Sequence, residues 1–512
     1  MAKICVTWAA NLSFKRNRME KRTLLALSAL ALSGAAAGAE ERMNVLFILT
    51  DDFQHNAIHA LGREDVRTPN IDSIYSRGTA FTNCYTNGAI GGALSMPSRA
   101  MIMTGRGVFD ITQDGWVISP RHTMLPEQLR AAGYRTFHTG KWHSDFASFN
   151  RAFSEGENIY FGGMHRYEDG GHVTPRLMHY DPAGDYKHRT PFVGSKFSSE
   201  LYADAAVDFL EQAAGDTTPF FAYVAFTSPH DPRNRHPWYG RTYAPDSISL
   251  PPNYRPQHAF DNGELTVRDE VVVPAPRSAE TVRRELADYY GMISEVDTQI
   301  GRVIDALRRS GRLERTIVVF AGDNGLAMGQ HGLMGKQSLY DHSIKVPLVV
   351  WAPGVPAGER NEGLCYLYDI NPTLAEMLGL APAETATGRS LAGALRRGAK
   401  GRTERDRIWL AYSSIHRALV MEGRKYIIYN VGGQITEQLF DLCRDPWEQN
   451  NLLAGAPSRR VQQLAAKYRS ALKEEMRRGH DFCDLDRPSG DHWSWWEKNE
   501  KISWTDGVNL VK

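Results

Sequence analysis

A hydroxyl, a proline and a guanidinium stand within five residues in the run Ser95-Met96-Pro97-Ser98-Arg99, which continues Ala100-Met101-Ile102-Met103-Thr104-Gly105-Arg106. Pro97 suits the first turn of a helix, where its missing N–H leaves nothing unsatisfied. Ser95 would then lie beside free backbone N–H groups with Arg99 one turn on, an anion site carrying a potential nucleophile. Asp51-Asp52 and Asp323-Asn324 add four hard oxygen donors, each pair closing an apolar run. Oxygen-only ligation suits Ca²⁺ or Mg²⁺ better than zinc. Either pair by itself reads equally as N-caps or turn residues. Together with Ser95 they point to a metal site beside an anion site.

The elements that must position these groups are legible as runs. Asn44–Thr50, Tyr134–Thr139, Phe220–Phe226, Thr316–Phe320 and Val346–Trp351 are continuous rather than alternating apolar segments, as expected of strands buried on both faces. Helical stretches lie between them. The clearest is Glu280–Arg309, with Ile293, Val296, Ile300, Val303, Ile304 and Leu307 on one face, Ser278 as its cap and Gly311 after its end. Strands alternating with helices predict an α/β fold, a large doubly wound mixed sheet flanked by helices, with ligands at the carboxyl ends of its strands. Asp51-Asp52, Asp323-Asn324, Lys141 and His143 all fall at such ends.

From about Gly398 the texture changes to shorter segments, Arg407–Tyr412, Ala418–Met421, Lys425–Asn430 and Leu439–Leu442, followed by a helix near Ser458–Arg478. This predicts a catalytic domain over 40–397 and a smaller C-terminal α+β antiparallel-sheet domain over 398–512. Trp493, Trp495 and Trp496 make the tail too aromatic for a solvated linker, so it is expected to pack on the body.

The chain has 512 residues, with Lys plus Arg at 60 against Asp plus Glu at 59, 42% hydrophobic and 23% charged residues. Such a balance excludes disordered and collagen-like classes and offers no global field for nucleic acid or anionic lipid. The first 39 residues carry six basic residues and one acid, leaving the rest at −4. They contain a basic cluster at Lys15–Arg22, an apolar run at Leu24–Leu32 and Ala37-Gly38-Ala39, the pattern of a secretory signal peptide cleaved after Ala39, with Met19 an alternative start. The run is shorter than the ~20 residues that span a bilayer. Export to the periplasm or medium without a membrane anchor is therefore expected. Cys84, Cys365, Cys443 and Cys483 remain, without C-x-x-C spacing, and read as structural thiols or one bridge.

All twelve residues from Ser95 to Arg106 resemble the type I sulfatase signature S/C-x-P-S-R-x-x-x-L-T-G-R, departing only in Met103 for Leu. Further elements follow in that family's order. Thr68-Pro69-Asn70-Ile71-Asp72 and Gly140-Lys141-Trp142-His143 are similar to its opening and G-K-W-H elements. Ser228-Pro229-His230 resembles its P-H element. Phe320-Ala321-Gly322-Asp323-Asn324-Gly325 resembles S-D-N-G with Gly for Ser. Gly335-Lys336…Tyr340…Val346-Pro347-Leu348 follows G-K-x-x-x-Y…V-P-L, with His342 and Lys345 in place of the usual Glu and Arg. Leu439-Phe440-Asp441-Leu442 with Asp445-Pro446 and Glu448–Leu452 resembles the C-terminal motif.

The resemblance implies an alkaline phosphatase-superfamily sulfatase in which Ser95 is oxidised to formylglycine, whose hydrated gem-diol attacks sulfur. It implies one Ca²⁺ on Asp51, Asp52, Asp323 and Asn324, completed by residue 95 and the sulfate. Arg99, Lys141 and Lys336 would surround the sulfate, His143 would assist at residue 95, and His230 would protonate the leaving alcohol. A serine at 95 implies an anaerobic sulfatase-maturating enzyme as partner before export, and hence an anaerobic bacterium. Phe260–Glu270 is similar to bacterial carbohydrate sulfatases, which points to a sulfated sugar from a host glycan, glycosaminoglycan or algal polysaccharide.

Loops holding His165, Arg166, His172, Arg176, His179, Arg235 and His236, with Trp238, are candidates for gripping that substrate, and read equally as solvated basic loops. Exo or endo action stays open. A phosphate or phosphonate monoester hydrolase of the same superfamily and a non-catalytic sulfated-glycan binder are the alternatives.

Overall fold

A computed structural model describes residues 42–233, 242–481 and 483–486. The expected signal peptide, Arg235, His236, Trp238 and the tryptophan tail lie outside the described residues.

Asn44–Thr50 forms β1, buried at every position, because it runs between two parallel neighbours, Phe220–Ala225 (β8) and Thr316–Gly322 (β9). The eight-stranded sheet has the order β11-β2-β10-β9-β1-β8-β4-β5. Its other members are Thr79–Tyr85 (β2), Arg135–Lys141 (β4), Glu155–Tyr160 (β5), Leu348–Trp351 (β10) and Glu359–Tyr366 (β11). Only β10 runs antiparallel, to β9 and to β2, so the sheet is mixed as expected. Strand β10 begins at Leu348 rather than Val346, and β4 extends two residues beyond the Thr139 expected from its apolar run, to Lys141.

Leu46, Ile48, Val318 and Phe320 face a core shared with helices α1 (Pro69–Arg77), α3 (Ser198–Gln212) and α4 (Ala279–Arg309). Helix α4 carries the expected apolar stripe, and Ser278 caps it by accepting from Thr281 N at 3.1 Å. Helix α2 (Ser95–Thr104) is buried along its whole length. Its last carbonyls are satisfied by Asn371 Nδ2, 3.2 Å from Ile102 O and 2.7 Å from Met103 O, and Gly105 ends it with φ 67°.

The second sheet has the order β15-β14-β13-β12-β3. Arg407–Tyr412 (β12), His416–Met421 (β13), Arg424–Val431 (β14) and Gln434–Asp441 (β15) form an antiparallel meander. Gly88–Ala89 (β3) joins its edge in parallel with Ala411 and Tyr412, tying it to the chain just before α2. A final helix, α6 (Arg459–Arg478, after α5 at Ile370–Met377), buries Ala465, Tyr468, Leu472 and Met476 at helical spacing. A two-stranded ribbon pairs β6 (Arg176–Leu177) with β7 (Phe192–Val193). Cys84 and Cys365 are register partners in β2 and β11, and all four described cysteines are free.

Candidate active site

The carboxyl ends of β1, β9 and β4 deliver Asp51-Asp52, Asp323-Asn324 and Lys141 to one place, where Ser95 opens α2. Two glycines make that approach possible. A Cβ on Gly140, which has φ 96°, would lie 1.9 Å from Ala225 O, and one on Gly325 would lie 2.1 Å from His342 O. Asp52 and His143 adopt left-handed backbone (φ 58° and 70°), a conformation costly for non-glycine residues and concentrated at functional sites. Asp52 is held in it by Tyr289, whose hydroxyl donates to Asp52 O at 2.8 Å.

Ser95 Oγ lies 2.9 Å from Asp51 Oδ1, 2.9 Å from Asn324 Oδ1 and 3.4 Å from Lys336 Nζ. Lys141 Nζ is 2.5 Å from Asp51 Oδ2, and Lys336 Nζ is 2.6 Å from Asp52 Oδ1, with Asn324 Nδ2 at 2.6 Å from the same oxygen. Arg99 donates from Nε to Asp323 Oδ2 at 2.9 Å and from Nη1 to Lys141 O at 2.8 Å. Its Nη2 is buried without a hydrogen-bond partner, 3.6 Å from Asp51 Oδ2, so a donor is left over for a ligand oxygen. His230 Nε2 lies 3.5 Å from Asp52 Oδ2.

This arrangement fits a divalent cation. Three oxygens converge on one point, on Ser95, Asp51 and Asn324, with a single hydroxyl proton to share among them. Burial, then the charge of Asp51, raises the Asp323 pKa above its usual range, a repulsion that a cation would relieve. Asp51, Asp52 and His230 also offer ligand atoms within 4.8 Å of one another. Arg99, Lys141 and Lys336 already offset the three carboxylates, so an added dication would leave net positive charge for an anionic ester.

The two histidines diverge in proton affinity. Burial would depress His230, but Asp52 and Asp51 raise it above 6.5. Burial, with Lys141 and Arg99, drives His143 well below 6.5, and its buried Nδ1 has no hydrogen-bond partner. Titratable groups pushed apart in this way are suited to opposite proton-transfer roles.

The family model Sulfatase matches residues 43–380. The chain belongs to the sulfatase family. As a sulfatase it is a sulfuric ester hydrolase. A second model, N-sulphoglucosamine sulphohydrolase C-terminal, matches residues 329–478. The chain is 26% identical to an N-acetylglucosamine-6-O-sulfatase of Bacteroides thetaiotaomicron, over 85% of this chain and 87% of that one. It is also 26% identical to an ulvan-active sulfatase of Formosa agariphila, over 84% and 81%. Among solved structures, one holding its substrate D-glucosamine-2-N,6-O-disulfate superposes with TM-score 0.67 at 22% identity, covering 87% of this chain and 99% of that one. A phosphonate monoester hydrolase of Agrobacterium radiobacter superposes with TM-score 0.67 at 24% identity, covering 86% and 96%. These superpositions establish the shared alkaline phosphatase-like fold.

Of the described loop residues expected to bind substrate, His165 and His172 pack edge to face with ring centroids 5.0 Å apart. His172 is fully buried, its Nδ1 2.8 Å from Ser198 Oγ and its Nε2 2.9 Å from His230 O, so it braces the backbone of His230. His165 is buried against Tyr160 and bonded to Tyr202 Oη at 2.9 Å. Arg166 is exposed. Exposed Arg176 and His179 pair with Asp169 at 3.5 Å and Glu157 at 2.5 Å.

The sequence reading gave no role to Asp231, Arg268, Asp269, Glu270 or Gln337, which surround His230 and Lys336. Arg268, Asp269 and Glu270 are the charged cluster that ends Phe260–Glu270, whereas Asp231 and Gln337 carry no signal beyond their neighbours His230 and Lys336. Glu270 accepts from Met334 N at 3.0 Å and Gly335 N at 2.8 Å and pairs with Arg277 at 2.8 Å. Asp269 accepts from Gln337 Nε2 at 2.7 Å. The loop carrying Lys336 is thus held on both sides of that residue.

Proposed function

We propose that this sulfatase removes O-sulfate from a carbohydrate, with formylglycine made from Ser95 and one Ca²⁺ held by Asp51, Asp52, Asp323 and Asn324. The observation that carries the reading is the convergence of Ser95 Oγ with Asp51 Oδ1 and Asn324 Oδ1 at 2.9 Å each, under Lys336. The modified residue supplies the nucleophile, and the cation supplies charge for the sulfate oxygens. The chain's own groups do the rest. Arg99 Nη2, Lys141 and Lys336 bind and orient the sulfate. His230, held protonated, gives its proton to the leaving alcohol, while neutral His143 accepts one at residue 95. Calcium is favoured over zinc by the all-oxygen donor set.

A sugar substrate is supported by the relatives that act on N-acetylglucosamine sulfate and on ulvan. The apolar run of the leader supports export, and the serine at 95 supports an anaerobic maturase as partner. No helix among the described residues is long and apolar enough to cross a membrane.

The test is sulfate release from a panel of sulfated monosaccharides by protein produced with an anaerobic maturase, with Ser95→Ala as control. Release that depends on Ser95 is expected and names the sugar and carbon. Faster turnover of a matched nitrophenyl phosphate than of the sulfate would move the assignment to a phosphate monoester hydrolase.

A further inference from the structure

His230 is gripped from behind as well as facing the carboxylates. Its Nδ1 lies 2.7 Å from Asp231 O and 3.1 Å from Asp231 Oδ1, so one N–H is shared by two oxygens of the next residue. The Asp231 carboxylate is in turn held by both arms of Arg268, Nη1 to Oδ2 at 2.5 Å and Nη2 to Oδ1 at 2.8 Å. Such a bidentate pair fixes the plane of the carboxylate as well as its charge. Side-chain exposure falls along the chain from 44% at Arg268 to 15% at Asp231 and 7% at His230. Arg268 also bonds Asp269, whose other oxygen accepts from Gln337 beside Lys336, so the relay shares its anchor with the sulfate-binding loop.

We propose that Asp231 and Arg268 are positioning residues for His230: the guanidinium fixes the carboxylate, and the carboxylate fixes the imidazole with Nε2 turned towards the carboxylate cluster. A half-exposed ion pair adds little to stability, so holding the fold does not account for a geometry this constrained. Orientation does. A proton donor contributes only while its donor atom stays within hydrogen-bond reach of the leaving oxygen. An imidazole free to rotate about χ1 and χ2 would spend much of its time elsewhere. The inference rests on the reading of His230 as proton donor to the leaving alcohol.

The experiment uses the matured full chain and a series of substituted phenyl sulfates, from 4-nitrophenyl to unsubstituted phenyl. Nitrophenolate departs without a proton, whereas phenolate benefits from one. In Arg268→Met and Asp231→Asn, kcat on 4-nitrophenyl sulfate is expected within about 3-fold of the parent, and kcat on phenyl sulfate lower by about 10²-fold, the scale of a lost general acid. His230→Ala should give the same slope against leaving-group pKa, and adding Arg268→Met to it should cost nothing further. Equal losses across the series in Arg268→Met, or additive losses in the double variant, overturn the positioning role. A flat series for His230→Ala alone instead overturns the proton-donor reading. The crystal structure of Arg268→Met supplies an independent arm: a displaced or split His230 ring is expected, and an unmoved ring contradicts the proposal.

Discussion

His230 and His143 face the same group of carboxylates and cations, yet the proton affinity of one is raised and that of the other lowered. For His230 the charges of Asp52 and Asp51 outweigh burial, and for His143 burial and Lys141 act together. Activity that needs a protonated His230 falls as pH rises through a pKa above 6.5. Activity that needs a neutral His143 falls only as pH drops far below that value. The expected kcat/KM profile therefore has an alkaline limb belonging to His230, displaced upward from that of an ordinary imidazole. In His230→Ala that limb should vanish and the plateau should drop by about 10²–10⁴-fold. An alkaline limb retained in that variant would mean another acid. At Asp323, replacement by Ala removes a proposed cation ligand and strips Arg99 of its 2.9 Å partner. Elemental analysis should then fall from about one calcium per chain to none. Stoichiometric zinc in the parent would contradict the oxygen-donor argument. The residues that the fold gathers around Ser95 were legible because each sits inside a short motif. The second layer was not, because Arg268 and Asp231 are 37 positions apart and only the fold brings them together.

At the scale of elements, the short helix Arg268–Val271 governs the loop that carries Lys336. Glu270 is buried and takes two backbone N–H groups as well as the Arg277 guanidinium. Glu270→Ala leaves the buried Arg277 guanidinium without its counter-charge and two N–H donors without partners, at an expected cost of about 3–5 kcal/mol in urea unfolding. Turnover should fall with it, because Lys336 loses the frame of its loop. A loss under ~1 kcal/mol would show that the loop is held elsewhere. The central strands β1, β8 and β9 were legible as apolar runs because both of their faces are covered. Edge strands β5 (EGENIY) and β11 (ERNEGLCY) were not, since an edge needs fewer apolar residues, and β11 is further broken by a register shift between Asn361 and Leu364. The two-residue strand β3 carries no sequence signal at all; it exists because Gly88 can approach Ala411 O where no Cβ would fit.

Across the whole molecule, the core between α3, α4 and the sheet contains an ionisable group that the chemistry does not use. Burial pushes the Glu295 carboxyl up to about 8 from its usual 4.5. Between those values the folded state binds a proton that the unfolded state has released, so stability should fall as pH rises from about 4.5 to 8. Glu295→Gln removes that slope. Its melting temperature should match the parent at pH 4 and exceed it increasingly through pH 8, and parallel pH curves would argue against a neutral Glu295. Fold class and the antiparallel texture of the C-terminal segments could be read from the order of elements, whereas substrate contacts could not. Among the described loop residues, His172 braces the backbone of His230 and His179 pairs with Glu157. The central claim concerns one atom at the start of α2. The measurement that tests it most directly is sulfate released per chain, by ion chromatography, in preparations whose oxidation at residue 95 has been quantified by peptide mass. Turnover proportional to the oxidised fraction, and absent in Ser95→Ala, is the expected result. Sulfate release that persists undiminished in Ser95→Ala would contradict it.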